Sequence, residues 1–315
     1  YYALLQHRFS LANKYVQKAI DIGSEKYISE MLHFDVAFEQ GQYLLAKNIL
    51  QRIKSLNDYG YFFRLSKYQH RAGEMGSAIH SMRKAFELAG NNTSLAQTAL
   101  SNLADLYMHA AEAHKAQALY MQSIRLDKSD LHSLLGLGWI ALVHDKNDSL
   151  AESIFNFVRS KTRSPESIFK LVSVAQQRGD SAAEKKYASE FISLAGDSVY
   201  GDMYNKYLVD IYSTTLNEPG QAVKVAAKEL KNRATPQTFA WMVWSLFKKG
   251  EKDRAMRLYE EHVSGKPLEG LELFYMGSMM KELKQGYNAK QFLDAAWQNR
   301  YDLSPAKMKR LESML

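Results

Sequence analysis

Apolar residues recur at helical spacing almost from end to end of the chain, and polar breaks interrupt them every 12 to 20 residues. The pattern is that of many short amphipathic helices in series. Only 5 prolines and 17 glycines punctuate the sequence, too few for a turn-rich all-β fold. The apolar pattern also repeats at a longer period. Ala12, Ala46, Ala78, Ala116, Ala151, Ala183, Ala222, Ala255 and Ala289 are separated by 34, 32, 38, 35, 32, 39, 33 and 34 residues. The spacing averages about 34.6 residues, enough for one pair of helices per repeat.

Other residues fall into phase with that count. Gly41, Gly73, Gly179 and Gly250 stand four or five residues before a repeat alanine, where one helix closes and its partner begins. Pro165, Pro236, Pro267 and Pro305 fall between repeats, where proline can start a helix without breaking an internal hydrogen bond. Small residues such as Ala46, Ala116 and Ala255 suit the crossing of two helices. Tyr120, Phe155, Tyr187 and Tyr259, four residues further on, share their face and are predicted to fill the space toward the next repeat. A single helix pair cannot bury its apolar face alone, so the pairs must stack.

Several stretches carry a recognisable pattern. Leu134-x2-Leu137-Gly138-x2-Ala141 is followed by Ala151-x3-Phe155, and Leu273-x2-Met276-Gly277-x2-Met280 by Ala289, Leu293 and Ala296. Phe239-x2-Met242-Val243-x2-Leu246 with Gly250, Ala255, Tyr259 and Pro267 is a third copy, and Leu100-x2-Leu103-Ala104-x2-Tyr107 with Ala116 and Tyr120 a fourth. In these elements the chain resembles the tetratricopeptide repeat family. The resemblance implies an all-α, right-handed α-solenoid of about nine helix pairs over residues 1–302, with the first pair incomplete and a C-terminal capping helix over 303–315. Ser304 is expected to cap that helix, with Pro305 at its first position. The clipped first pair suggests an array continuing upstream. The last third of the chain, around Ala240-Trp241 and Tyr275-Met276-Gly277, resembles the ending of bacterial tetratricopeptide proteins, many of them exported. That likeness favours an extracytoplasmic compartment, with the cytoplasm as the alternative.

Candidate chemistry narrows the picture by its scarcity. With no cysteine, thiol catalysis and thiolate metal sites are excluded. Phosphate-loop, dinucleotide, nucleophile-elbow and His-Glu-x2-His patterns are missing from the sequence. His109 and His114 are five residues apart, which on one helix turns their rings well away from each other. Asp145 to Ser149 has the outline of a calcium loop but lacks its glycine and distal glutamate, and reads as a solvated turn. The longest apolar stretch, Leu134 to Val143, is half the length of a membrane span.

No enzyme, cofactor or metal is therefore expected, and the surface is left to carry function. In tetratricopeptide arrays the first helix of each pair lines a concave groove. Transferring those positions gives Phe63, Lys67, His70, Arg71, Trp139, Trp244, Phe247, Lys248 and Phe274 as candidate groove residues. In a tightly wound superhelix the same residues would instead pack against neighbouring helices. The leading expectation is a non-enzymatic scaffold binding a peptide or partner protein in the groove. Two alternatives remain: an RNA-binding helical repeat, and the docking portion of an enzyme whose catalytic domain lies upstream. The net charge of +7 allows acidic partners, but the 41 basic and 34 acidic residues are heavily interspersed. Asp35, Glu39, Asp105 and Glu282 nevertheless interrupt the basic groove positions, which disfavours nucleic acid. The partner and the oligomeric state stay open.

Overall fold

The computed structural model describes residues 1–315, apart from the side chain of Tyr287. The described residues form nineteen α-helices and no strand. The first three pairs are α1 (Tyr2–Leu5) with α2 (Phe9–Asp21), α3 (Lys26–Glu39) with α4 (Tyr43–Ile53), and α5 (Tyr59–Arg71) with α6 (Met75–Leu88). The next three are α7 (Thr93–His109) with α8 (Ala113–Leu126), α9 (Leu131–Val143) with α10 (Asp148–Lys161), and α11 (Glu166–Arg178) with α12 (Ser181–Ala195). The last three are α13 (Asn205–Asp210) with α14 (Pro219–Asn232), α15 (Pro236–Lys248) with α16 (Lys252–His262), and α17 (Gly270–Glu282) with α18 (Gly286–Gln298). A final helix, α19 (Pro305–Glu312), follows.

Each repeat alanine lies in the second helix of a pair, and all but one are buried. The exception is Ala183, half-buried in α12; Ala188 and Phe191 take the tightly packed places there, so this repeat is shifted along its helix. Two glycines mark close crossings of paired helices. A β-carbon at Gly138 would sit 2.6 Å from the ring of Phe155, and one at Gly277 would sit 2.7 Å from the side chain of Leu293. Both contacts join the two helices of one pair, so glycine there sets their separation.

The seventh pair departs from the others. α13 runs on into a single π-turn over Ile211–Thr215. The π-turn leaves the Ser213 hydroxyl free to donate to the Val209 carbonyl (2.7 Å) and to accept from Trp244 Nε1 (3.1 Å). Asn205, polar where a bulky residue is usual, donates to the buried carboxylate of Glu229 at 2.6 Å.

The pairs wind into a superhelix whose second turn rests directly on the first. Gln6 reaches the carbonyl of Val199, Glu39 pairs with Arg233, Arg71 donates to the carbonyl of Pro267, and His109 meets Asp302. These contacts join residues 193, 194, 196 and 193 positions apart. The near-constant offset corresponds to about 5.6 repeats per superhelical turn. The chain's last segment turns inward. Trp139 Nε1 donates to the carbonyl of Tyr301 at 2.7 Å, and Met308 packs against the cores of both turns. Ser304 accepts from the Lys307 amide and Pro305 opens α19, which packs on α18 and crosses to α11.

Candidate interior site

Stacking the two turns encloses an interior space in two compartments. The larger, about 610 Å³, is built from both turns: Phe38, Tyr43, Lys67, His70 and Arg71 come from the first, and Arg233, Gln237, Trp241, Glu269 and Glu272 from the second. The smaller, about 270 Å³, lies among α7, α9, α11, α13 and the segment leading into α19. His109, Lys206, Glu269 and Asp302 line both compartments and form the ionic boundary between them.

The helix ends place these groups. His70 and Arg71 close α5, and His109 closes α7, so each projects from the rim of the first turn. Glu269 precedes α17 without capping it, the Gly270 amide donating to Asp302 instead, and Glu272 lies in that helix's first turn, across from Lys206 in α13. Lys206 Nζ lies 3.1 Å from Glu269 and 3.3 Å from Glu272, so one ammonium serves two carboxylates. Burial works against the Lys206 charge, but Glu272 and Glu269 hold it above the ordinary lysine range. Lys206 draws Glu269 down to about 2 against the effect of burial. Glu272 is fully buried, and that burial pushes its carboxyl up. One of its oxygens accepts from Trp241 Nε1 at 2.6 Å; the other has no hydrogen-bond partner among the described residues.

The histidines divide in the same way. Burial and the charge of His109 push His70 down to about 4. Burial also disfavours a charge on His109, but the Asp302 carboxylate at 2.7 Å outweighs it and lifts the ring to about 9. The two rings stand 4.8 Å apart, one neutral and one cationic at neutral pH. On the first turn's wall Glu39 lies 3.3 Å from both Lys67 and Arg233, while Arg71 donates only to the Tyr43 hydroxyl and the Pro267 carbonyl.

The sequence-derived groove residues separate into three groups. Lys67, His70 and Arg71 line the larger compartment, and Trp139 the smaller. Phe63 stacks on Tyr59 and Lys248 lies over the ring of Trp244; neither lines either compartment. Trp244, Phe247 and Phe274 are 1%, 4% and 2% exposed, because the first helices of pairs seven to nine pack side by side. Trp244 lies parallel to Tyr275 at 4.6 Å. The groove pattern did not bring out Lys206, Glu269, Glu272 and Asp302. A signal was available: Glu272 stands inside the apolar run GLELFYMGSMM. The calcium-like turn is a helix start, since Asn147 accepts from the Leu150 amide, and no group of three His, Asp or Glu converges on a metal position among the described residues. Nor is any helix long and apolar enough to cross a membrane.

Helical hairpins stacked edge to edge around an interior define an α-solenoid. Residues 98–130, which span α7, α8 and the approach to α9, match the tetratricopeptide repeat family. The chain is an all-α solenoid of tetratricopeptide-like helix pairs. Similar solved structures include a Rap protein complexed with competence and sporulation factor, at 11% identity and a TM-score of 0.54, covering 100% of this chain and 97% of that one. Yeast Tom70 aligns at 14% identity and a TM-score of 0.50, over 96% of this chain and 62% of its own. A tetratricopeptide repeat protein from Parabacteroides merdae aligns at 16% identity and a TM-score of 0.44, over 91% of this chain and 98% of its own. No curated protein matches the sequence significantly.

Proposed function

We propose that this protein is a non-enzymatic interaction scaffold that receives an extended peptide segment of a partner in the larger interior compartment. The tetratricopeptide fold typically mediates protein–protein contacts. The observation that carries the reading is the make-up of that compartment's wall. Phe38, Tyr43 and Trp241 offer aromatic surface. The side-chain amides of Gln237 and Gln298 make no hydrogen bond to another described residue, and neither does the second terminal nitrogen of Arg71. Free amides beside aromatic rings suit a peptide main chain and its apolar side chains. A Rap protein of the same fold is a complex with competence and sporulation factor, which agrees with a bound factor in such a solenoid.

Selection from a displayed library of short linear peptides, followed by calorimetric titration, tests this. Selected peptides are expected to bind about tenfold more weakly or worse to Arg71→Ala and to Gln237→Ala, each substitution removing a hydrogen bond to the peptide. Lys185→Ala, on the exposed side of α12, is the control. Peptides indifferent to both cavity substitutions would place the binding surface elsewhere.

A further inference from the structure

The smaller compartment holds one cation that is in no contact ion pair with a described residue. Four cations along it meet carboxylates: His132 on Asp105 at 3.0 Å, His109 on Asp302 at 2.7 Å, Lys206 on Glu269 at 3.1 Å and Lys307 on Asp210 at 2.8 Å. Lys170 makes no ion pair and no hydrogen bond with a described residue; its ammonium stands 3.8 Å from the centroid of the Trp139 ring. Donation to the Tyr301 carbonyl fixes that ring in turn. The ring face attracts the ammonium but satisfies none of its N–H groups in the manner of an oxygen acceptor. Glu166, one helical turn before Lys170, also lines the compartment, but beyond ion-pair distance. Burial outweighs the pull of Glu166 and Asp105 and pushes the ammonium below the ordinary lysine range.

Two further donors face the same space. Ser173 stands one turn along α11 from Lys170, so their side chains share a helix face. Tyr207 comes from α13, and its ring packs on Phe169, 4.4 Å away, beside Lys170 in the chain. Neither hydroxyl hydrogen-bonds to another described residue, and neither is sealed from the compartment. Lys170 and Tyr207 are half-buried and Ser173 is buried, so an acceptor entering the compartment could be met by donors that the protein does not pair internally.

We propose that Lys170, Ser173 and Tyr207 form a receptor for an oxyanion, a carboxylate or a phosphate group carried by a ligand that enters the smaller compartment. The ammonium supplies the charge, and the two hydroxyls supply directed donors of different reach. The three together match an acceptor with more than one oxygen. The site is separate from the peptide wall, from which the boundary of His109, Asp302, Lys206 and Glu269 divides it, so the two readings stand or fall independently.

The test is calorimetric titration of the whole chain with inorganic phosphate and with succinate at fixed ionic strength, chloride serving as the control anion. One or both oxyanions should bind the wild-type protein above the chloride background. Lys170→Met keeps the stem against Trp139 and removes an unpaired charge, so it should fold; its affinity should fall by about tenfold or more. The double variant Ser173→Ala, Tyr207→Phe should lose a smaller factor while keeping the charge. Preference for phosphate over succinate, or the reverse, identifies which oxyanion the ligand carries. Equal binding by the wild type and Lys170→Met, or no oxyanion binding by a wild-type protein that unfolds cooperatively, would overturn the assignment.

Discussion

The first and last helix pairs follow one design but sit in different surroundings. At the N-terminal end α1 and α2 bury only Ala3, Phe9, Ala12 and Val16, while Tyr1, Tyr2, Tyr15 and Ile22 are between 60% and 83% exposed. This end is tied to the second turn by polar groups. Asn232 accepts from the Phe9 amide and donates to the His7 carbonyl, and Arg8 reaches the carbonyl of Ser198. At the C-terminal end α17 is buried along nearly its whole length, with Phe274, Tyr275, Met276, Met279 and Met280 all at 2% or less. Burial here follows packing within a turn: α17 lies against α15 and α18 of its own turn, whereas the α1–α2 pair meets the second turn mainly through polar groups.

The largest break in this contrast should come from Trp244→Ala. It removes a fully enclosed ring, its stack on Tyr275 and its bond to Ser213, at a cost of about 3–5 kcal/mol in urea unfolding. Tyr15→Ala at the other end should change stability by about 0.5 kcal/mol or less. Equal effects would erase the contrast. Next comes Gly277→Leu, whose side chain must displace Leu293 in the neighbouring helix, destabilising by about 1–3 kcal/mol. Gly76→Ala, which meets open space early in α6, should be neutral or slightly stabilising by the same measurement.

Asn232→Ala sharpens the comparison locally. Losing both bonds to the α1–α2 turn should cost about 1–2 kcal/mol. Hydrogen exchange should speed up in α2 while α17 stays protected; uniform loss of protection would mean that the N-terminal pairs do not open separately.

The last break is in the pH profile. His7, lowered by burial and Arg233, and His70 both sit near 4, below the unfolded value of about 6.5. The unfolded chain therefore binds more protons between about 4 and 6.5, and stability should rise with pH through that window and be lost as pH drops toward 4. His109 is raised to about 9, and so is His132 through its contact with Asp105. Their support is complete below about 6.5 and should fade as pH climbs toward 9. Melting temperatures should peak near neutrality, with Asp302→Asn flattening the alkaline limb and His70→Phe the acid one. A peak unmoved in shape by either variant would remove the ionic boundary from the account of stability.

The helix pairs were legible because a local period of about 34.6 residues fixes where helices start, cross and turn. Gly41, Gly73, Gly179 and Gly250 all hold left-handed φ values, between 70° and 92°. The pitch was not legible, because it arises from small rotations summed over several pairs. That sum decided the site. Lys67, His70 and Arg71 face open interior because the second turn meets them only at its polar rim, whereas Trp244, Phe247 and Phe274 lie within the largest core cluster. Lys170 lay outside the transferred groove positions, since its setting depends on Trp139 and Tyr207 from other pairs.

The constant offset of about 195 residues between facing positions makes the molecule a screw thread meshed with itself. A residue added within one outward-facing turn leaves the mesh intact. Losing one whole pair from the middle would advance every later crest by one repeat, so that Glu39 would no longer face Arg233, nor His109 face Asp302. Single pairs can therefore vary in sequence, while their number between facing contacts acts as one indivisible quantity.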